Sequence, residues 1–272
     1  MYSLDETLQQ RLRERARLAG MDEEAMLASL LNEALSKESQ GHSLYISAPV
    51  NALVEGLYRE DTTIADILQQ GDFGIGTFND LDGEMVVCDG VVYQLRADGQ
   101  AYAVSPDTRT PFACVTFFTP YSEEEIQGPL DYPELLALFD RMLPSHNMLY
   151  AIRVTGEFDY VRTRSVPRQE AYRPLVEVAR EQPEFEFAQV KGTLVGFWTP
   201  QFMESVAVPG YHLHFITADK QHGGHLLNCR PRRVRIAIQH IPQLQLGLPM
   251  TLDYLTADLT RDTHDDLQEA EH

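Results

Sequence analysis

"PGYHLHFITADKQHGGHLLNC", residues 209–229, decides how the C-terminal half of the chain is read. In "YHLHFITA" aromatic, β-branched and polar residues alternate, the period-2 pattern of a strand. "TADKQHGG" carries turn chemistry, with Gly223 and Gly224 suited to positive-φ positions. "GHLLNC" then returns as a second strand, so the stretch predicts a β-hairpin. On a strand, residues two apart face the same side, so His212 and His214 stand together, about 7 Å apart at their base. Chain reversal brings His225 back beside them. The chain has only nine histidines, and four fall here. The fourth, His222, lies at the turn tip and reads as solvated. Three imidazoles at one corner can converge on one ion at Zn–N distances of about 2.0–2.1 Å, leaving positions open for water or substrate. A single buried histidine is ordinarily hydrogen-bonded core, and an H-x-H pair is only moderately specific. The third histidine, after a turn of the right length, favours the metal reading.

Working outward, "LYAIRVTGEFDYVRTRSV", "FEFAQVKGTLVGFWTP" and "CRPRRVRIAIQHI" are also β-like. Turn signals at a spacing of about 8–12 residues predict a sandwich or barrel. Upstream, "LYISAPV", "GDFGIGTFND", "GEMVVCDGVVYQL", "AYAVSP" and "FACVTFF" are strand-length runs, punctuated by Asp89-Gly90 and Asp98-Gly99. "NALVEGLYRE", "TTIADILQQ" (capped by Thr62 or Thr63) and "YPELLALFDRMLP" read as helices. Gly74 and Gly76 read as marks of a bent strand, since no phosphate-binding helix follows them. The first 40 residues differ. Leu4, Leu8, Leu12 and Leu18 mark one helix and Gly20 breaks it. Asp22 caps a second, with Met26, Leu27, Leu30, Leu31 and Leu35 as its apolar face. Ser39–Ser43 reads as a linker. The expected organisation is a helical hairpin over 1–41, an α+β domain over 42–148, and a β domain over 149–272, a sandwich or barrel, with an acidic tail.

The balance of 41 acidic against 22 basic residues, formally −19 at pH 7, opposes contact with nucleic acid or anionic membrane and favours a small-molecule substrate. The hairpin faintly resembles ribbon-helix-helix proteins but lacks their basic strand. No apolar run approaches the roughly 18 residues of a membrane helix, and no secretory signal is read at the N-terminus. Cys88, Cys114 and Cys229 are odd in number and widely spaced, which suits buried thiols in a reducing, cytoplasmic setting.

"VPGYHLHFITADKQHGGHLLNC" resembles the zinc-binding segment of the acetolactate decarboxylase family. "GDFGIGTFNDLDGEMVVCDGVVYQL", "TPFACVTFF", "RTRSVPRQ", "YRPLVEVAREQPEFEF" and "KGTLVGFWTP" resemble that family too, in the same order, over about residues 43–272. The resemblance implies decarboxylation of 2-acetolactate to acetoin and carbon dioxide with one Zn2+ held by His212, His214 and His225. It implies catalytic roles for Glu84, Arg164 and Thr77, and a C-terminal glutamate returning to the metal: Glu271, with Glu269 as the alternative register. It also implies an α+β fold with an N-terminal mixed sheet and a C-terminal antiparallel β-barrel-like domain, with the site between them. A homodimer is expected as well, the two apolar faces of the hairpin being suited to oligomer assembly. By their own residues, Arg162 and Arg164 share a strand face and spacing does not choose between them. Glu84, in "NDLDGE", reads by itself as a solvated turn residue. No motif for pyridoxal, thiamine or flavin is read. A zinc hydrolase on the same histidines, and a non-catalytic regulatory or binding protein with this fold, are the competing expectations.

Overall fold

Turn chemistry and strand periodicity generate most of the molecule. The computed structural model describes residues 6–35, 43–170 and 173–271. Leu4 and positions 39–42 of the expected linker lie outside these, as do the side chains of Leu18, Leu35 and Glu271. Residues 1–41 and 42–272 are separate compact units.

In the first unit, α1 (Glu6–Ala19) and α2 (Glu23–Leu35) pack on each other as a hairpin. Gly20, at φ 65°, ends α1, and the Asp22 carboxylate accepts from the Ala25 N–H at 2.7 Å to cap α2. Ala16 and Met26 are buried, while Leu8 and Leu31 are exposed.

The second unit is α+β with two sheets. The first is mixed, in the order β12-β1-β6-β2-β3-β4-β5. Its strands are β1 (Ser43–Ile46), β2 (Phe73–Thr77), β3 (Glu84–Cys88), β4 (Val91–Leu95), β5 (Ala101–Ala103), β6 (Ala113–Thr116) and β12 (Gln243–Leu246). Only the β1–β12 pair is parallel. The second sheet is antiparallel, in the order β10-β9-β8-β11-β7. It comprises β7 (Ser122–Gln127), β8 (Leu149–Arg164), β9 (Glu184–Thr199), β10 (Gly210–Thr217) and β11 (Gly223–Ile241), and β10 also pairs with β11. Two strands cross the boundary drawn at 148/149: β7 joins the second sheet and β12 the first.

Local chemistry explains the joints. Asp89 and Gly90 take φ 53° and 75°, the double left-handed turn that suits a two-residue hairpin between β3 and β4. Thr63 caps α4 (Ile64–Leu68) in a capping box with Asp66, after the short helix α3 (Val50–Val54). Asp131 and Glu134 do the same for α5 (Tyr132–Met142), whose Leu135, Leu138 and Phe139 are buried in a core shared with the second sheet. Three short helices complete the unit: α6 (Leu175–Ala179), α7 (Leu252–Thr256) and α8 (His264–Glu271). Gly74 and Gly76 serve close approach of the neighbouring strand. A Cβ at Gly74 would lie 2.1 Å from the Cys114 carbonyl oxygen, and one at Gly76 2.4 Å from that of Phe112.

Candidate active site

The hairpin of β10 and β11 forms with His214 directly opposite His225. Its turn departs from expectation in one respect. Lys220 takes the left-handed conformation at φ 60°, while Gly223 is required because a Cβ there would sit 2.2 Å from the Phe215 carbonyl oxygen. His222 is not solvated. It is half-buried, donates from Nδ1 to the Gly99 carbonyl at 2.8 Å and lies against Phe187. The turn is thereby tied to the first sheet.

His212, His214 and His225 converge, with one ring nitrogen of each within 4.8 Å of the others, and as a group they can hold a metal ion. His214 is the most buried, 1% exposed. Its Nδ1 donates to the Met85 carbonyl at 2.8 Å, which leaves Nε2 unprotonated in the neutral ring and turned to His212 Nε2 at 3.2 Å. That separation matches the roughly 3.3 Å between two nitrogens on a tetrahedral zinc with bonds of about 2.0–2.1 Å. Burial, then the His212 and Arg164 charges, hold the His214 pKa well below the ordinary imidazole value, against the opposing Met85 hydrogen bond. The ring therefore stays neutral, the form a ligand needs. The donor set fits a zinc-type ion.

Glu84 opens β3, opposite Thr77 on β2. Its carboxylate is 12% exposed and reaches to 3.7 Å from His214 Nε2, so the turn-residue reading is overturned by burial. Thr77 donates to the Gly83 carbonyl at 2.8 Å and so braces the residue before Glu84. Arg164, at the end of β8, pairs across the ladder with His225. The structure separates it from Arg162, which is 40% exposed and leans toward Glu184 at 3.8 Å. Arg164 donates to the Ala270 carbonyl of α8, and its buried Nε–H has no acceptor. Glu269 accepts from Arg180 Nε at 2.7 Å. Position 271 closes α8, one helical turn after the buried Leu267.

Glu84, Thr77, Arg164 and the three histidines line one cavity, whose other walls are largely apolar: Val50, Leu53, Leu81, Phe112, Leu175 and Val208 among them. Among the described residues, Arg164 is the sole arginine or lysine in the lining. Gln182, not singled out by sequence reasoning, also lines it, with a buried Oε1 that accepts no hydrogen bond. No spacing pattern marks Gln182, because it comes from the loop between α6 and β9 and only tertiary packing brings it in.

Helix α8 closes the cavity through Ala270 and is tied at its start by His264, whose Nδ1 lies 2.8 Å from Glu204 Oε2. That hydrogen bond and the Glu204 charge raise the His264 pKa above its ordinary value of about 6.5. A raised imidazole pKa means the tie is complete in acid and is lost as pH rises through the folded-state value. Protection of the amides over 264–270, with exchange corrected for its intrinsic rise with pH, should therefore fall as pH rises through that value, and Glu204→Gln should remove the fall. Corrected protection that is flat with pH in the unaltered chain would refute the tie.

Comparison with known proteins agrees with this geometry. The alpha-acetolactate decarboxylase family profile matches residues 44–261. The alpha-acetolactate decarboxylase of Methylococcus capsulatus is 44% identical over 234 residues, covering 86% of this chain and 90% of its own. That of Klebsiella aerogenes is 43% identical over 239 residues, covering 88% of this chain and 92% of its own. The crystal structure of alpha-acetolactate decarboxylase from Bacillus subtilis strain 168 superposes with a TM-score of 0.82 at 39% identity, over 84% of this chain and 99% of that one. With three converging histidines, a half-buried glutamate and a half-buried arginine in one cavity of the matched region, the chain belongs to the alpha-acetolactate decarboxylase family.

Proposed function

We propose that this protein decarboxylates 2-acetolactate to acetoin and carbon dioxide, with zinc on His212, His214 and His225. The observation that carries the reading is the gathering of these histidines, Glu84 and Arg164 in one apolar-walled cavity of a chain in this family. In acetolactate one carbon bears a carboxylate, a hydroxyl and a methyl group beside a ketone. When the bond to the carboxylate breaks, its electron pair flows toward the ketone, and the resulting enediolate is protonated on carbon to give acetoin. Zinc held by the three histidines would supply Lewis-acid stabilisation of the negative charge that develops on oxygen.

The protein's own groups do the rest. Arg164 receives the carboxylate on its forked donors, with the unpaired Nε–H as one of them. Glu84 holds and moves the proton of the hydroxyl or the enediol. Thr77 keeps Glu84 in place through the Gly83 carbonyl. The apolar walls exclude water, which strengthens each of these charge contacts. Glu271, four residues after Leu267, is the tail glutamate proposed to return to the metal, since Glu269 is paired with Arg180.

A homodimer is supported by exposed apolar side chains at Leu248, Met250, Leu252 and Leu255, next to the edge strand β12. A cytoplasmic location is supported by three free, buried cysteines. Among the described residues no helix is long and apolar enough to cross a membrane.

The test is acetoin release from acetolactate by purified protein, before and after chelation and again after zinc is returned. Turnover that is lost and then restored is expected. A folded, zinc-loaded sample that leaves acetolactate untouched but cleaves activated esters would replace the decarboxylase with the hydrolase.

A further inference from the structure

The turn that delivers Glu84 is strained. Asp80 and Leu81 take φ 64° and 52°, followed by Gly83 at 88°. A left-handed leucine is costly and persists only where its surroundings over-determine it. Leu81 is held because its side chain is 1% exposed and forms part of the cavity wall. Each neighbouring residue is also tied down. Thr77 donates to the Gly83 carbonyl, Gln94 donates to that of Asp82, and Arg96 lies 3.6 Å from the Asp82 carboxylate.

Those ties all stay within the first sheet. Among the described hydrogen bonds and ion pairs of these turn residues, those of Asp80 reach the segment that follows Arg164. Its carboxylate, 13% exposed, accepts from Arg168 Nη2 at 2.9 Å and from Arg59 Nε. Its carbonyl accepts from the Gln169 N–H at 2.6 Å, and its own N–H donates to the Tyr58 carbonyl at 2.8 Å. Asp80 stands four residues before Glu84, and Arg168 four residues after Arg164. We propose that Asp80 is a positioning residue, a clamp between the Glu84 turn and the chain leaving Arg164 that sets the two functional side chains at a fixed separation across the cavity. The inference rests on the roles proposed above for Glu84 and Arg164. Arg59 and Arg168 are 69% and 62% exposed, so these pairs add little to global stability. Their effect is on geometry, where a displacement of about 1 Å can cost a hundredfold in rate.

Asp80→Asn is the informative change, because asparagine tolerates the left-handed backbone and keeps the main-chain bonds while losing the charge. It is compared with Arg168→Met, the double variant and Arg168→Lys, all in the zinc-loaded full chain. We expect kcat for acetoin release to fall about tenfold in Asp80→Asn, with zinc content unchanged. The double variant should be no worse than Asp80→Asn alone, and Arg168→Lys should recover part of the loss of Arg168→Met. Amide exchange should quicken in both 79–84 and 165–170. Unchanged kcat and KM in Asp80→Asn, additive losses in the double variant, or exchange that quickens in 79–84 alone would each overturn the clamp. If the unaltered protein forms no acetoin, the functional reading fails, and exchange in the two segments still decides whether Asp80 joins them.

Discussion

His214→Ala is expected to abolish zinc retention and to lower kcat for acetoin release by at least about a thousandfold. The size follows from the chemistry assigned to the metal: charge stabilisation of several kcal/mol, at about 1.36 kcal/mol per factor of ten. His214 is the histidine on which the cluster depends. It is fully packed, its Nδ1 is engaged by Met85, its Nε2 faces His212, and its ladder partner is His225. Removing the ring takes away one nitrogen donor of three and the hydrogen bond that Nδ1 gives to the Met85 carbonyl, a stability cost of about 1–3 kcal/mol. Metal content by elemental analysis, a thermal melt and the acetoin assay on one preparation separate these effects. A variant that keeps its zinc and turns over normally would sink the ligand assignment.

Glu84→Gln should give the complementary result: zinc retained, and kcat lower by about a hundred- to a thousandfold, the range for loss of a general acid–base group. Glutamine has the shape of glutamate and can still accept from a donor, but it cannot take up a proton. Because the carboxylate sits 3.7 Å from His214 Nε2, beside the histidine cluster, its loss should leave the three nitrogens in place. Two outcomes would refute the role. Unchanged kcat would make Glu84 structural, and a loss of zinc matching that of His214→Ala would make it a ligand. Read together, the two variants distinguish a residue that holds the metal from one that works beside it.

The sequence by itself determined those features governed by neighbours a few positions away. The alternation in "YHLHFITA" and the turn after it are enough to bring His212, His214 and His225 to one corner, because strand period and turn chemistry are local. The capped helix at Tyr132–Met142, the Asp89-Gly90 turn and the two N-terminal helices are legible for the same reason. Tertiary structure decided the rest. "NDLDGE" reads as solvated because nothing local tells of the packing that buries Glu84 beside His214. Arg162 and Arg164 are equivalent by spacing, and only the cavity and the Ala270 carbonyl distinguish them. His222 is a turn-tip residue until Gly99, 123 positions away, supplies its acceptor. The parallel pairing of β12 with β1 joins Gln243 to Ser43, a contact that no period in either segment encodes. Burial and long-range pairing are properties of the assembled chain: they depend on which surfaces meet, and a side chain's environment is set only once they have met.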